Sequence, residues 1–404
     1  MKLPAFDKRV WVLFVGMALN QFGMSIVMPF ISIYLFVYQG ESPAMVGFAM
    51  FFSAFVGAVF QLVGGEACDR FGRRTVFVTG LILLIGSFLL LGWAVSVQAP
   101  YLYYLVLLSL TRIATGLFRP IPNVIAADIV PAEKRTEAFA ILRVAHNIGF
   151  ATGPIIGGLM AIVSYSSMFY LTAITSTLYL GLVLAFINDT RACRPSVVKQ
   201  RESIVSILGD RTFMVFTLLS FLVFVVYSQM YTPLSMYSKG FAGLSEPEIG
   251  LLLAINGIMV VSLQYFVTRV ADRYRLTFAM SMGVLLYAAG FGLVSVSHGF
   301  AALAICIFLI TMGELWFMPA QITLAANLAT GDKRGRYMGF SGLMTNMGSA
   351  VGPLIGGLLL SVFTGSVWVV WLIVAAAGLA CATGFIYLKR IVPAEKDTSA
   401  VVGF

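Results

Sequence analysis

Long apolar runs broken by short polar stretches set the pattern of this chain. Runs of the length a membrane helix needs, about 20 residues, fall near 10–37, 44–64, 75–96, 101–127, 137–162 and 166–188. Six more fall near 212–238, 246–268, 277–297, 301–326, 338–362 and 367–388. The pattern predicts an all-α membrane protein of twelve transmembrane helices in two six-helix, pseudo-symmetric halves, residues 1–188 and 212–390. Residues 189–211, rich in Arg, Lys and Ser, are the one long polar connection, expected as a cytoplasmic linker. Residues 391–404 are expected as a short cytoplasmic tail, disordered from about Pro393. The remaining connections leave no room for a soluble domain.

The halves repeat. Asn147-Ile-Gly-Phe-Ala-Thr-Gly-Pro-Ile-Ile-Gly-Gly-Leu159 returns as Asn346-Met-Gly-Ser-Ala-Val-Gly-Pro-Leu-Ile-Gly-Gly-Leu358, 199 residues on from Asn147 to Asn346. Fainter echoes pair Asp69-Arg70 with Asp272-Arg273, Pro120 with Pro319, and Lys134-Arg135 with Lys333-Arg334. Two duplicated halves around a site near mid-membrane form a transporter plan. Gly153-Pro154 and Gly352-Pro353 would break a soluble helix, whereas a membrane helix can re-satisfy the freed groups. Small residues every four positions also let helices approach closely.

Composition agrees. The chain is 60% hydrophobic and 11% charged, against roughly 25% charged in soluble domains. The net charge of +9 does not signal nucleic acid, because the basic residues fall on alternate loops. Lys8, Arg9, Arg70, Arg73, Arg74, Lys134, Arg135, Arg191, Arg194, Lys199 and Arg201 lie on one side. So do Arg269, Arg273, Arg275, Lys333, Arg334, Arg336, Lys389 and Arg390. The opposite loops hold Lys239 and acids such as Glu41, Glu246 and Glu248. The positive-inside rule then places both termini in the cytoplasm of a cell (inner) membrane. The first apolar run is too long for a signal-peptide core and no cleavage site follows it, so it is expected to stay. Cys68, Cys193, Cys306 and Cys381 are isolated, so neither a disulfide nor a metal site is expected. No G-x-x-x-x-G-K-S/T, H-E-x-x-H or G-x-S-x-G occurs, which argues against an ATP-driven pump or an enzyme. A proton gradient is the expected energy source, with no cofactor and a monomeric protein.

Charges inside the spans carry the chemistry. A charged side chain at mid-bilayer costs roughly 2.5–3.5 kcal/mol on insertion scales, so it persists only facing protein or a wet cavity. The candidates are Arg112 and Arg119 on span 4, Arg143 and His146 on span 5, and Glu314 on span 10. Glu314, the one acid deep inside a span, is the leading proton-coupling residue and can also pair with a cationic substrate. The plain alternative is a static ion pair with one Arg. Arg112 and Arg119 are seven residues apart and so share a helix face. With Arg143 they make the first half cationic, either as a counter-ion network for Glu314 or as a site for an anionic headgroup. His146 can carry a proton near neutral pH, or simply pack. Asn20, Gln21, Asn256, Tyr227, Tyr231, Trp316 and Phe317 are the expected cavity lining. Met and aromatic surfaces suit promiscuous apolar ligands.

The loop Gly65-Glu-Ala-Cys-Asp69-Arg70-Phe-Gly72-Arg73-Arg74 resembles the G-x-L-a-D-R-x-G-R-R/K loop of the major facilitator superfamily. Arg112-Ile-Ala-Thr-Gly116 is similar to that superfamily's R-x-x-x-G motif. Gly149-x-x-x-Gly153-Pro154-x-x-Gly157-Gly158 resembles the element of its drug:proton antiporter branch. Ala127-Asp128-Ile-Val-Pro131-Ala-Glu-Lys-Arg135 is similar to the LmrP-like and MdtH-like members. Glu66, Ala67 and Arg119 depart from the usual motifs. The resemblance implies proton-coupled efflux of lipophilic, often cationic drugs by alternating access, with small molecules, protons and the bilayer as the only partners. It also implies that Asp69 meets the N-terminus of span 11 and that Arg73 pairs with Asp128, contacts that lock the outward-facing state. Gly65 and Gly72 are expected to supply tight turns in that loop. The competing reading is a carrier of organic anions or amphiphilic lipids that uses Arg112, Arg119 and Arg143.

Overall fold

A computed structural model describes residues 6–131, 134–188, 205–329 and 334–399. Most of the expected linker therefore lies outside the described residues, as do Cys193, Lys333 and the last five residues of the tail. Among the described residues there are helices and no strand. Twelve helices are long and apolar enough to cross a membrane: α1 Lys8–Tyr38, α2 Pro43–Phe71, α3 Arg73–Ser96, α4 Tyr101–Ile129, α5 Glu137–Val163, α6 Tyr165–Phe186, α7 Arg211–Gly240, α8 Glu246–Ala271, α9 Leu276–Val294, α10 Gly299–Leu328, α11 Arg334–Val362 and α12 Trp368–Ile391. The helical state follows from the solvent, because hydrocarbon offers backbone groups no other partner.

Three of these helices are irregular. The last turn of α1, Tyr34–Tyr38, is π-helical. Arg119-Pro120 breaks α4 into Tyr101–Phe118 and Ile121–Ile129, since proline lacks the N–H that would continue the ladder. Helix α7 passes through a 3-10 turn, Ser228–Met230, before resuming at Thr232–Gly240. At its start, Asp7 caps α1 by accepting the Arg9 N–H at 2.8 Å. The Arg9 side chain beside it holds the Asp7 carboxyl down at about 2, so the cap stays ionised until strongly acidic pH.

The chain folds into two compact units. One comprises Met1–Glu41, Phe48–Val197 and Ser245–Ala254; the other comprises Ser42–Gly47, Val198–Leu244 and Ile255–Phe404. Each unit thus holds the first turns of one helix whose remainder belongs to the other. Packing inside the units repeats: α1 lies on α5 and α6 as α7 lies on α11 and α12, and α3 lies on α4 and α6 as α9 lies on α10 and α12. Aromatic side chains fill both cores, with Phe77, Phe88, Tyr104 and Phe169 buried in one and Phe216, Tyr287, Phe291 and Trp371 in the other. Large apolar side chains also face outward, Leu62 at 78% exposure among them, as lipid contact allows.

The repeated glycine motif is the seam of each unit. A Cβ on Gly149 would stand 2.5 Å from the Ala18 carbonyl and 2.7 Å from the Phe22 nitrogen, and one on Gly153 would meet Ser25. In the second copy Gly348 faces Phe221 and Gly352 faces Ser228. Backbones that close leave no room for a side chain, so only Gly fits. Polar bonds cross the same seam. Ser25 donates to the Gly149 carbonyl at 3.0 Å, and Gln229 donates to the Gly352 carbonyl at 2.8 Å. The motif's last glycines do parallel work, Gly158 lying against Glu246 and Pro247, and Gly357 against Pro43.

Two expectations need correction. Gly65 forms no turn: it lies inside α2, which runs on to Phe71, and nothing stands within 4 Å of where its Cβ would be. Gly72 alone supplies the turn, with φ at 88°, a conformation open mainly to glycine. The tail is ordered as far as it is described. Asp397, fully buried, accepts the Thr277 N–H at 2.8 Å and the Thr277 hydroxyl at 2.6 Å, capping α9 from outside that helix. Asn327 donates to the Lys396 and Thr398 carbonyls, and Ser399 to the Asp272 carbonyl. Polar groups at three helix ends thereby recruit a segment whose sequence reads as a loose tail.

The glycine contacts predict opposite effects of one chemical change. Gly149→Ala forces backbone apart and should lower stability by about 1–3 kcal/mol. Gly65→Ala meets nothing and should raise it by up to about 1 kcal/mol through helix propensity. Thermal unfolding of the purified proteins in detergent separates the two.

Candidate functional site

Glu314 stands fifteen residues past Gly299 and fourteen before Leu328, about 21–23 Å from either end of α10 at about 1.5 Å per residue. That is mid-helix, where an acid needs partners. Asn256 of α8, buried, donates one amide N–H to Glu314 Oε2 at 2.8 Å and also lies 3.0 Å from the Thr311 hydroxyl one turn below. Tyr227, Tyr231 and Tyr287 lie within electrostatic range of Glu314. Tyr227 and Tyr231, four residues apart across the 3-10 turn, share a hydroxyl contact of 2.8 Å. Tyr287 of α9 packs on Tyr227, with ring centroids 5.7 Å apart. A half-buried carboxyl thus sits among one amide and three phenols within a single unit. Such a set can hold a carboxylate, or its protonated form, without a cation.

The expected lining residues part company here. Tyr227, Tyr231 and Asn256 join Glu314. Phe317 does not: it is fully buried and packs on Phe224, Tyr287 and Phe385. Those rings from α7, α9 and α12 enclose it. Trp316 is half-buried against Tyr274. Asn20 and Gln21 lie on α1 in the other unit, where Asn20 Oδ1 is buried with no hydrogen bond among the described residues.

The cationic cluster is separate. Arg112 is half-buried, its Nη2 3.5 Å from the Met28 sulfur, and Arg119 lies within electrostatic range of it. His146 lies within electrostatic range of both Arg119 and Arg143. Arg119 and Arg143 are exposed. Among the described residues none of the three arginines forms a salt bridge. Four basic groups therefore gather in one unit, and the deep carboxyl lies in the other.

At the basic end of the first unit Arg73 and Asp128 form a half-buried ion pair joining α3 to the end of α4. Arg74 donates to the Leu184 carbonyl at 3.0 Å. Asp69 and Arg70 are exposed in the last turn of α2. The motif Gly149, Gly153, Pro154, Gly157 and Gly158 lies on α5, which continues through Pro154.

The repeat, the twelve helices and the loop motif fit a known family. Residues 13–245 and 241–403 each match the Major Facilitator Superfamily. The chain belongs to that superfamily. It is a multi-pass membrane transporter and not an enzyme. Among its relatives are the multidrug resistance protein MdtH of Escherichia coli O1:K1 / APEC, 27% identical over 83% of each chain, and a Na(+), Li(+), K(+)/H(+) antiporter of Planococcus maritimus, 24% identical over 99% of this chain and 100% of the relative. A solved structure of a mutant nucleoside transporter NupG matches at a TM-score of 0.80 and 15% identity, covering 94% of this chain and 99% of that one. The likeness to that structure concerns the fold alone.

Sequence reading missed several groups. Thr311 was findable, since it precedes Glu314 by three residues and so shares its face. Tyr287 was not, because only the α7–α9 packing brings it close. Ser25 and Ser228 meet Gly153 and Gly352, and the duplicated motif points to such a pair only once its partner helices are known.

For the Arg73–Asp128 pair, a double-mutant cycle of Arg73→Gln and Asp128→Asn should give a coupling of about 0.5–1 kcal/mol in thermal stability. Additive single effects would mean that the pair contributes nothing to holding α3 on α4.

Proposed function

We propose that this superfamily member is a proton-coupled antiporter that exports lipophilic cations, with Glu314 as the group that exchanges proton for substrate. The observation that carries the reading is the mid-helix carboxyl of Glu314 held by the Asn256 amide, with the phenols of Tyr227, Tyr231 and Tyr287 nearby and no salt bridge to it among the described residues. A carboxyl with a fixed cation stays charged, whereas one held by neutral donors can accept and lose a proton. The phenol rings of Tyr227, Tyr231 and Tyr287 add apolar faces that also attract cations.

In this reading residues 1–188 rock against 212–390, with both termini in the cytoplasm. Substrate entering from the cytoplasm displaces the proton on Glu314. The carboxyl is reprotonated from outside, and the substrate leaves. Gly72, Arg73 and Asp128 work the cytoplasmic gate, with Asp69 docking on the start of α11 in the outward-facing state. The seam at Gly149, Gly153, Pro154, Gly157 and Gly158 lets α5 shift as a packed unit. His146 is a secondary proton site.

A second reading has its own observation. Arg112, Arg119 and Arg143 form no salt bridge among the described residues, and that suits an organic anion or an amphiphilic lipid headgroup.

Proteoliposomes with an acidic lumen, the cytoplasmic face of the protein outward, separate the two readings. Adding lipophilic cations should release protons, and Glu314→Gln should abolish that release while leaving the protein folded. Release driven only by anions, or release that survives Glu314→Gln, would move the site to the arginines. Transport indifferent to the pH gradient would rule out coupling by either group.

A further inference from the structure

The two units brace equivalent places with different groups. In the first, Arg73 is the first residue of α3 and Asp128 the last but one of α4, and their ion pair ties helix to helix. In the second, Leu276 is the first residue of α9 and Asn327 the last but one of α10. The repeat maps one set onto the other. The offset of 203 residues between Asp69 and Asp272 carries Arg73 to Leu276, and that of 199 between Pro120 and Pro319 carries Asp128 to Asn327. A leucine and an amide cannot form an ion pair, so the second unit fills the place another way.

The segment after α12 takes it. The Leu276 N–H donates to the main-chain carbonyl of Asp397 at 3.3 Å, and the Thr277 N–H and hydroxyl donate to the two oxygens of its buried carboxylate. Asn327 donates to the carbonyls on either side, Lys396 and Thr398, each at 3.0 Å. The Lys396 and Asp397 N–H groups bond back to the Pro393 carbonyl at 3.0 and 3.1 Å, a turn that presents Asp397 to both helices. Arg275, which precedes α9, does not cap it with its side chain, so the first N–H groups of that helix take their partners from the tail. A carboxylate there also meets the positive end of the helix dipole. One short segment thus reaches the same two helix ends that Arg73 and Asp128 join directly.

Helix α10 gives such a brace something to hold. Pro319 stands five residues past Glu314 and eight before Asn327, and its ring nitrogen leaves the Leu315 carbonyl without the usual helical donor. Gln264 of α8 supplies that carbonyl with a side-chain N–H at 3.3 Å. A proline of this kind is where a helix bends, so residues 320–328 can swing relative to the part that carries Glu314. We propose that residues 393–399 are a releasable strap, the second unit's counterpart of the Arg73–Asp128 pair, fixing the end of α10 to the start of α9. Docked, it steadies the helix that bears Glu314. Released, it leaves Leu276 and Thr277 without their acceptors and lets the end of α10 move about Pro319. Each of its bonds is non-covalent, so the strap can leave and return.

Hydrogen exchange read by mass spectrometry, on the protein in lipid nanodiscs, tests the strap. Ending the chain after Ala394 should speed exchange at Leu276 and Thr277 on the order of tenfold, the scale of a lost hydrogen bond, and speed it at residues 324–328 as well. Asn327→Asp in the full chain should act the same way, because a carboxylate cannot donate to the Lys396 and Thr398 carbonyls. Slow exchange retained in either protein would overturn the strap. The shortened chain carrying Leu276→Arg and Asn327→Asp rebuilds the first unit's ion pair. It should restore slow exchange at residues 324–328 while Thr277, still without an acceptor, stays fast. Fast exchange at both places there, with α1, α3 and α6 unchanged, would reduce the tail to a cap of α9 and overturn its equivalence to Arg73–Asp128. A last readout rests on the antiport reading: proton release driven by a lipophilic cation should fall in the shortened chain and return in the rebuilt one. Release untouched by the shortening would overturn the steadying of Glu314. No release in the wild type would sink the antiport reading and leave the exchange results to judge the strap.

Discussion

Hydrocarbon supplies no hydrogen bonds, and every polar group inside it must find a partner within the protein. Most hydroxyls solve this locally by bonding back to their own helix, as Ser87 does to Leu83, Ser109 to Leu105 and Thr217 to Phe213. Such groups say nothing about neighbouring helices. Others cross between helices, and some of those fall in telling places. Ser25 to Gly149 and Gln229 to Gly352 fasten the two glycine seams. Asn256 bonds Glu314, and Tyr38 and Tyr165 bond Glu246 at the start of α8. Specific geometry arises where a polar side chain has no local solution.

That distinction also explains what could be read from the chain. The spans were legible because length and hydropathy are local properties, and the duplication because its motif survives almost intact at Gly149–Gly158 and Gly348–Gly357. Glu314 stood out because an acid surrounded by apolar residues contradicts its setting. Glu246 did not, since it looks like any loop acid beside a proline until α1 and α6 bring their tyrosines to it. Gly65 misled for the opposite reason: glycine signals a turn in water, yet inside a membrane helix it is tolerated without one. Phe317 shares a helix with Glu314 but points into the core, and only the packing of α9 and α12 decides that. Asp397 was lost to composition, because a polar tail reads as loose unless a helix start waits to be capped.

The charges divide unevenly. One unit gathers Arg112, Arg119, Arg143 and His146, and the other holds Glu314 among phenols. Fold membership does not choose between the chemistries this permits. Relatives of this chain bear names as different as multidrug resistance protein and Na(+), Li(+), K(+)/H(+) antiporter, and one scaffold hosts them by changing a handful of side chains. The proposal of cation export rests on a carboxyl bonded by a neutral amide, since a neutral cradle lets the same group carry a proton in one state and face a cation in the next.

Infrared difference spectroscopy on the protein in lipid tests that exchange most directly, because it sees the protonated carboxyl itself. Adding a lipophilic cation to the wild type should erase a carboxylic-acid C=O band and raise a carboxylate band, with both changes absent in Glu314→Gln. The same band loss in Glu314→Gln, or no loss in the wild type while substrate binds, would contradict proton exchange at Glu314.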